Sequence, residues 1–391
     1  MQDHEARGIE LSQEEIARYA RHLTLPEIGL TGQKRLKASS VLCIGGGGLG
    51  SAVLLYLAAA GVGQIGIVDP DCVEDSNLQR QVLHGVSWLG KPKTASAKER
   101  ILEINPNCKV KTFQTLLTSK NALDIIPKFD IVCDCTDNFP SRYLINDACV
   151  LLKKPNIYGS IAHFEGQVTV FNLNKQSPNY RDLMPDPPPP GMLPSCAEGG
   201  VLGVLPGLIG VIQATEVIKI LTGIGKPLCG RLLVFNALEM KFRELTLNPS
   251  SDQKKIDCLI DYEEFCSLES HAKDSLETFS IKSISVQMLK EEIKNDSESI
   301  VLIDVRNPKE YELSSIKGAI SVPLPSIKND QAIELIRNML SNNQRLYAIC
   351  KSGSRSIQAL IELRRHNIQG INITGGMNAW SADMPKESSN Y

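Results

Sequence analysis

Residues 41–50 read VLCIGGGGLG, and the chain runs on through SAVLLYLAAAG (51–61) into QIGIVDP (64–70). An apolar run, a glycine cluster, a helix-like run and a second apolar run make up the punctuation of a βαβ unit. Gly45, Gly47 and Gly50 fit G-x-G-x-x-G between a strand at 41–44 and the helix. Glycines so placed let backbone amides approach a phosphate at a helix N-terminus. Asp69 ends the second strand, at 64–68, where a carboxylate can take ribose hydroxyls. Taken alone, this suits a nicotinamide-binding oxidoreductase as well as any other nucleotide enzyme.

Outward from this unit, further strands at 130–135 and 167–171 with helices between them predict a doubly wound α/β sheet. On the N-terminal side, SQEEIARYARHL (12–23) offers Ser12 as N-cap and Glu15 three residues later, so a short helix should carry Arg18 and Arg21. On the C-terminal side, 201–221 is long and apolar enough for a bilayer span. Gln213, Glu216 and Lys219 within it argue for a buried helix instead.

After Leu247 the pattern decays into NPSSDQKK (248–255) and a charged, irregular stretch. The expected division is therefore a first domain over 1–247, a linker over 248–278 and a second α/β domain over 279–391. In that second domain strands at 300–305 and 345–349 alternate with helical patterns at 327–340 and 354–366. No internal repeat is readable, and the low-complexity segment is the proline run at 185–190.

Composition sets the class. With 391 residues, 42% hydrophobic and 22% charged, the chain can build two cores and is not largely disordered. A formal net charge of -2 gives no general attraction to nucleic acid or anionic lipid. Eleven cysteines without framework spacing, and no readable targeting peptide, suggest free thiols in a cytoplasmic or plastid-stromal protein.

The nucleotide chemistry is decided downstream. After Asp69 comes DPDCVEDSNLQRQVLHGVSWLGKPKTASAKERILEINP (69–106), and later DCTDN (134–138). SNLQRQ, GKPK and DCTDN, in that order after the glycine cluster, resemble the molybdopterin-synthase and thiamine adenylyltransferases and their ubiquitin-activating relatives. The resemblance implies a Rossmann-like adenylyltransferase domain using ATP and Mg2+. It assigns Gly48 to the phosphate loop and Asp69 to the ribose. Ser76, Asn77, Leu78, Gln79, Arg80 and Lys93 fall in the triphosphate-binding stretch, Asp137 on magnesium and Asn138 beside it. It also implies a homodimer in which Arg21 reaches the neighbouring subunit's nucleotide.

The chemistry asks for such groups. A triphosphate is strongly anionic, and attack at its α-phosphorus needs charge neutralisation as pyrophosphate leaves. Nicotinamide chemistry needs no such cluster. Singly, Arg80, Lys93 and Arg21 read equally well as solvated charges, and Asp137-Asn138 as a turn. GVSWLGKP (85–92) mimics a P-loop but has Pro92 where that loop needs Ser or Thr, and no clear strand precedes it.

Between the halves, PNYRDLMPDPPPPGMLPSCAEGGVLG (178–203) contains Cys196. The resemblance makes Cys196 an acceptor thiol, able to take the carrier from its adenylate or to resolve an acyl disulfide. Many relatives also carry two CxxC pairs for structural zinc. Here the first pair would fall on Asn179 and Asp182 and the second near 249–253, and neither exists. Cys258 and Cys266 lack ligand-pair spacing, so no zinc is expected.

In the second domain RLYAIC (345–350) ends a strand and KSGSRSIQALIEL (351–363) opens a helix. A helix N-terminus and Arg355 would stabilise an anion on the Cys350 sulfur. DVRNPKEYELSSIKGAISVPL (304–324) and GGMNAW (375–380) complete a resemblance to single-domain rhodaneses over about 279–386. A tyrosine-phosphatase loop would be C-x5-R, whereas Cys350 and Arg355 give C-x4-R. Ser314-Ser315 in place of the usual Gly-His, and Lys351, are departures from the rhodanese pattern.

Together the resemblances imply adenylation of the C-terminal glycine of a ubiquitin-like sulfur carrier ending in Gly-Gly, followed by sulfuration through a Cys350 persulfide. The carrier expected first is the small subunit of molybdopterin synthase, with thiamine or tRNA-thiolation carriers as alternatives. A cysteine desulfurase or thiosulfate would supply sulfur, and neither nucleic acid nor membrane is an expected partner. Conjugation of a ubiquitin-like protein to lysines, with the rhodanese as a docking module, and a nicotinamide-binding scaffold remain the rival classes.

Overall fold

The structure is a computed structural model that describes residues 8–188, 200–250, 255–266, 281–296, 298–340 and 344–382. These fall into two compact units, one reaching to Cys266 and one beyond it.

The first unit is built on an eight-stranded sheet in the order β3-β2-β1-β4-β5-β6-β7-β8. β1 (Ser40–Ile44), β2 (Gln64–Val68), β3 (Lys109–Phe113), β4 (Ile131–Asp134) and β5 (Asn156–Ala162) are parallel. β6 (Glu165–Phe171), β7 (Arg231–Asn236) and β8 (Lys241–Thr246) continue it antiparallel. β1 pairs with β2 on one side and β4 on the other, so strand order reverses there. That reversal opens a crevice at the carboxyl ends of the strands.

Both faces of the sheet are covered, which is why β1, β2 and β4 read as unbroken apolar runs. One face packs against the helices Gly48–Ala60 and Val204–Thr222, with Val53, Leu57, Ile209 and Val217 in the core. The other packs against the helix Phe139–Leu152 and an aromatic cluster of Tyr143, Tyr158, Phe171 and Tyr180.

The helix Val204–Thr222 is long and apolar enough to cross a membrane, yet its polar residues tie it to the sheet. Buried Gln213 donates its amide to the carbonyls of Asp134 at 2.8 Å and Ile157 at 3.1 Å. Glu216 accepts from Lys219 at 2.6 Å and from the amide of Leu228 at 2.7 Å.

The N-terminal capping box forms as expected, but the helix Gln13–Arg18 stops at Tyr19 and a second short helix, Ala20–Leu23, carries Arg21. Tyr19 leaves helical geometry with its side chain buried, its hydroxyl accepting from Asn105 at 2.8 Å. Residues 255–266, within the stretch read as a linker, pack on this unit. Tyr262 donates its hydroxyl to Asp147 at 2.8 Å, and Arg181 stacks 4.9 Å from the Phe265 ring centroid.

The second unit is a five-stranded parallel sheet in the order β11-β10-β12-β13-β9. Its strands are β9 (Lys282–Ser285), β10 (Ile300–Asp304), β11 (Ile320–Ser321), β12 (Arg345–Ile349) and β13 (Gly370–Thr374). The period of two sorts its core. Val301, Ile303, Leu346, Ala348 and Cys350 join the face covered by the helices Asp330–Met339 and Ser354–Arg365. Leu302, Tyr347 and Ile349 join the face covered by Val286–Asn295 and Gly376–Ala382.

Candidate active sites

The glycine loop opens at the strand reversal. A Cβ on Gly50 would sit 2.0 Å from the carbonyl oxygen of Gly45, so no side chain fits where helix and loop cross. Around the loop lies a cleft of about 260 Å³ lined by Gly48, Asp69, Arg80, Lys93, Asp137 and Asn138 among others. These six come from five separate places in the chain.

Four of the six are held by partners of their own. Asp69 accepts the amide of Gly46 at 2.7 Å on one oxygen and the amide of Asp71 at 2.8 Å on the other. Burial pushes its pKa up, offset in part by the charge of Lys93 and by these amides. Buried Lys93, at the start of the helix Lys93–Ile104, donates to Asp71 Oδ2 at 2.8 Å. Arg80 donates to the carbonyl of Ser76 at 3.1 Å. Asn138 caps Phe139–Leu152, its Oδ1 accepting the amide of Ser141 at 2.9 Å, which leaves exposed Asp137 at the cleft wall.

Other expected residues stand elsewhere. Ser76, Asn77, Leu78 and Gln79 form a short turn outside the cleft lining, with Asn77 buried and bonded to the Ser76 hydroxyl at 3.3 Å. Arg21 is exposed on its short helix and does not line the cleft. Cys196 lies outside the described residues. The segment at 85–92 forms no phosphate loop; Lys91 stacks on Trp88 at 5.1 Å.

Sequence reading missed Asp71 and His84. The imidazole of His84 lies beneath the loop, with Nε2 2.9 Å from the carbonyl of Gly46 and Nδ1 2.9 Å from the Ser96 hydroxyl. A carbonyl only accepts, so Nε2 carries a proton. Burial pushes the pKa of the ring down, which favours its neutral form. The signal for His84 was its place three residues after SNLQRQ's Gln81, but nothing local separates it from a surface histidine.

The cleft fits ATP. Arg80 and Lys93 supply positive charge, Asp69 and Asp137 carboxylates, and Ile44, Leu116 and Leu117 an apolar surface for a base. Zinc, which many relatives carry, is not expected here, and the residues at the positions of the first cysteine pair are bonded to backbone. Asn179 Oδ1 accepts the amide of Arg181 at 2.9 Å, and the two oxygens of Asp182 accept the amides of Asn179 at 2.8 Å and Ser250 at 2.7 Å. Among the described residues no group of three or more His, Cys, Asp or Glu is placed to hold a metal.

In the second unit Cys350 is buried at the end of β12, and the amide of Gly353 donates to its sulfur at 3.0 Å. Gly353 takes φ +109°, a conformation only glycine adopts readily, and caps the helix Ser354–Arg365. The GGMNAW segment pins the loop from outside: Met377 and Asn378 donate their amides to the carbonyls of Cys350 at 2.8 Å and Lys351 at 3.0 Å.

Arg355, expected to serve the sulfur anion, makes a bidentate pair with Glu310 at 2.8 and 2.9 Å, so a carboxylate unseen in the sequence reading shares its charge. Buried Arg306 pairs with Asp304 at 2.7 Å and donates to the carbonyl of Ser314 at 2.5 Å. The Ser-Ser departure therefore leaves that contact intact, because it uses backbone.

Comparison with known proteins places both units. Residues 19–259 match the ThiF family and residues 285–383 the Rhodanese-like domain. The chain is 44% identical over 385 residues to the probable adenylyltransferase/sulfurtransferase MoeZ of Mycobacterium tuberculosis, covering 97% of this chain and 96% of that one. It is 43% identical over 394 residues to the adenylyltransferase and sulfurtransferase MOCS3 of Culex quinquefasciatus, covering 96% of this chain and 90% of that one. A crystal structure of E. coli MccB aligns with TM-score 0.56 at 22% identity, over 62% of this chain and 74% of that one, which speaks for the fold alone. The chain thus belongs to the ThiF family, as an adenylyltransferase joined to a rhodanese-like sulfurtransferase domain.

Proposed function

We propose that the chain adenylates the C-terminal glycine of a ubiquitin-like sulfur carrier and converts it to a thiocarboxylate with sulfur held on Cys350. The carrier proposed first is the small subunit of molybdopterin synthase, in molybdenum cofactor biosynthesis. The observation that carries this reading is the meeting of a glycine loop with Arg80, Lys93 and Asp137 in one cleft, in a chain that also sets Cys350 at a helix N-terminus.

A carboxylate is inert toward sulfur nucleophiles at neutral pH. Its oxygen attacks the α-phosphorus of ATP, and the bond to pyrophosphate breaks as the acyl adenylate forms. Arg80 and Lys93 offset the charge gathering on the phosphates. A magnesium ion, when bound, adds positive charge there, and Asp137 is the carboxylate that would hold it. The outer sulfur of the Cys350 persulfide then attacks the activated carbonyl and AMP leaves, giving an acyl disulfide. A second thiol, for which Cys196 is the candidate, attacks the Cys350 sulfur; the thiocarboxylate leaves and a disulfide remains.

The same reading has the enzyme working as a homodimer with Arg21 serving the neighbouring nucleotide, without zinc, nucleic acid or membrane, in the cytoplasm or plastid stroma. Its sulfur comes from a cysteine desulfurase or thiosulfate. The test is to incubate the protein with ATP, magnesium, a sulfane donor and each of several Gly-Gly carriers, and to record carrier mass. An oxygen-to-sulfur exchange that requires Cys350 is the expected result. Pyrophosphate release with no exchange on any carrier would favour conjugation over sulfuration.

A further inference from the structure

We infer that Ser356 and Asn372 form a two-state hydrogen-bond relay that follows the charge on the Cys350 sulfur, and that they are positioning residues for sulfur transfer. This rests on the reading that Cys350 carries the sulfur.

Ser356 is fully buried and Asn372 is 2% exposed, in a unit whose other buried polar side chains, among the described residues, are the paired Asp304 and Arg306. Buried polar side chains are costly unless bonded, so their partners are informative. Asn372 lies on β13 in register with Ala348, two residues before Cys350. Ser356 lies on the first turn of the helix that follows the loop.

The serine hydroxyl has one hydrogen and three acceptors within reach. Asn372 Oδ1 is at 2.6 Å, the carbonyl of Gly353 at 2.9 Å and the sulfur of Cys350 at 3.4 Å. The shortest takes the hydrogen. Ser356 therefore turns a lone pair toward the sulfur, which suits a thiol with a hydrogen to give. On its far side the Asn372 amide nitrogen donates to the Ser283 hydroxyl at 3.3 Å.

A thiolate has no hydrogen and needs donors. Half a turn of the Asn372 carboxamide supplies one without moving the backbone. Its NH2 group then donates to Ser356 Oγ, the Ser356 hydroxyl donates to sulfur beside the Gly353 amide, and the Ser283 hydroxyl donates to Asn372 Oδ1. The Ser356 hydroxyl, the Asn372 oxygen and the Ser283 hydroxyl each keep a partner in both arrangements, and only a carboxamide and two hydroxyls rotate. The second arrangement is the one that meets a sulfur donor. The thiolate attacks the sulfane sulfur of thiosulfate, the thiosulfate S–S bond breaks, and sulfite departs with the electron pair, leaving the persulfide.

The test uses the full chain with thiosulfate, following persulfide on Cys350 by intact mass across a pH series, with thermal unfolding as a check of fold. Ser356→Ala should lower kcat about tenfold with KM nearly unchanged and displace the pH–rate profile to higher pH. Ser356→Thr, which keeps the hydroxyl, should restore both. Asn372→Asp keeps the acceptor but cannot donate, so it should behave like Ser356→Ala, whereas a purely structural bond predicts wild-type behaviour. Asn372→Leu, which frees the serine hydrogen, should lose less than Asn372→Asp. Rates within twofold of wild type and an unmoved profile in Ser356→Ala would overturn the relay. Should that variant not fold, the same result in Asn372→Asp overturns it. If Cys350→Ala still accepts sulfur, the assignment of sulfur to Cys350 fails first.

Discussion

Asp182 Oδ1 accepts the backbone amide of Ser250 at 2.7 Å, joining two stretches of the first unit that lie 68 positions apart. By the family resemblance, those stretches are where the cysteine pairs of many relatives would fall, and here a carboxylate joins them instead. Asp182→Ala removes two charge-assisted bonds and should cost about 2 kcal/mol, or roughly 4–8 °C in the unfolding midpoint. Elemental analysis should find no stoichiometric zinc, and chelator should leave the midpoint unmoved; one zinc per chain would refute this.

Lys93 carries a buried charge paired with Asp71 and faces the cleft. Lys93→Ala should lower ATP–pyrophosphate exchange by about 10²–10³-fold, the scale for losing one preorganised electrostatic donor. Sulfur loading of Cys350 from thiosulfate should be unaffected in the same sample. Parallel loss of both would point to a folding defect instead.

Gly50 is the glycine of the phosphate loop with least room, since a Cβ there meets the Gly45 carbonyl at 2.0 Å. Gly50→Ala should push the loop out of register and weaken adenylation about a hundredfold, as small misplacements of a reacting group do. Calorimetric titration with a non-hydrolysable ATP analogue would read the loss directly.

His84 gives the first unit an acid-side weakness. Burial holds its pKa below the ordinary value of 6.5, with Lys93 adding to the effect and the Gly46 carbonyl and Asp69 opposing it. The unfolded chain binds the proton more readily, so stability falls as pH drops below about 6.5 and the loss grows until the folded pKa is passed. His84→Gln should flatten that part of the curve of unfolding midpoint against pH. An identical slope in the variant would assign the effect elsewhere.

Glu310 sets the corresponding behaviour in the second unit. Burial pushes its pKa up, but the Arg355 hydrogen bond, the Asn307 amide and the charges of Arg355 and Arg306 outweigh it, and the carboxyl sits below the usual range. A depressed carboxylate adds stability above its unfolded pKa of about 4.3 and loses it as pH falls through the folded value. Glu310→Gln should therefore destabilise the unit at pH 7 and converge with wild type in acid.

The βαβ start, the glycine loop, Asp69 and the Cys350 loop were legible because each is a local pattern: an apolar run, a turn residue, a helix start. The boundaries of β1, β2 and β12 follow directly from such runs. β3 (KVKTF) and β8 (KFRELT) were not legible, because β8 is exposed at every position and β3 is mostly so, and neither buries a face that would impose a period. The helix break at Tyr19 was equally hidden, since it depends on Asn105 reaching the tyrosine from far along the chain.

The sequence by itself determined that two α/β units exist, that one ends its first strand in a phosphate-sized loop, and that a cysteine opens a helix in the other. It did so through hydrophobic period and glycine placement, which act over a few residues. Only the tertiary structure decided which polar groups meet: Lys93 with Asp71, His84 with Gly46, Arg355 with Glu310, Ser356 with Asn372. Each of these pairs joins separate segments, from 16 positions apart for Ser356 and Asn372 to 45 for Arg355 and Glu310. Strand order and register, set by burial of the whole sheet, bring them within bonding distance, and no local pattern encodes that.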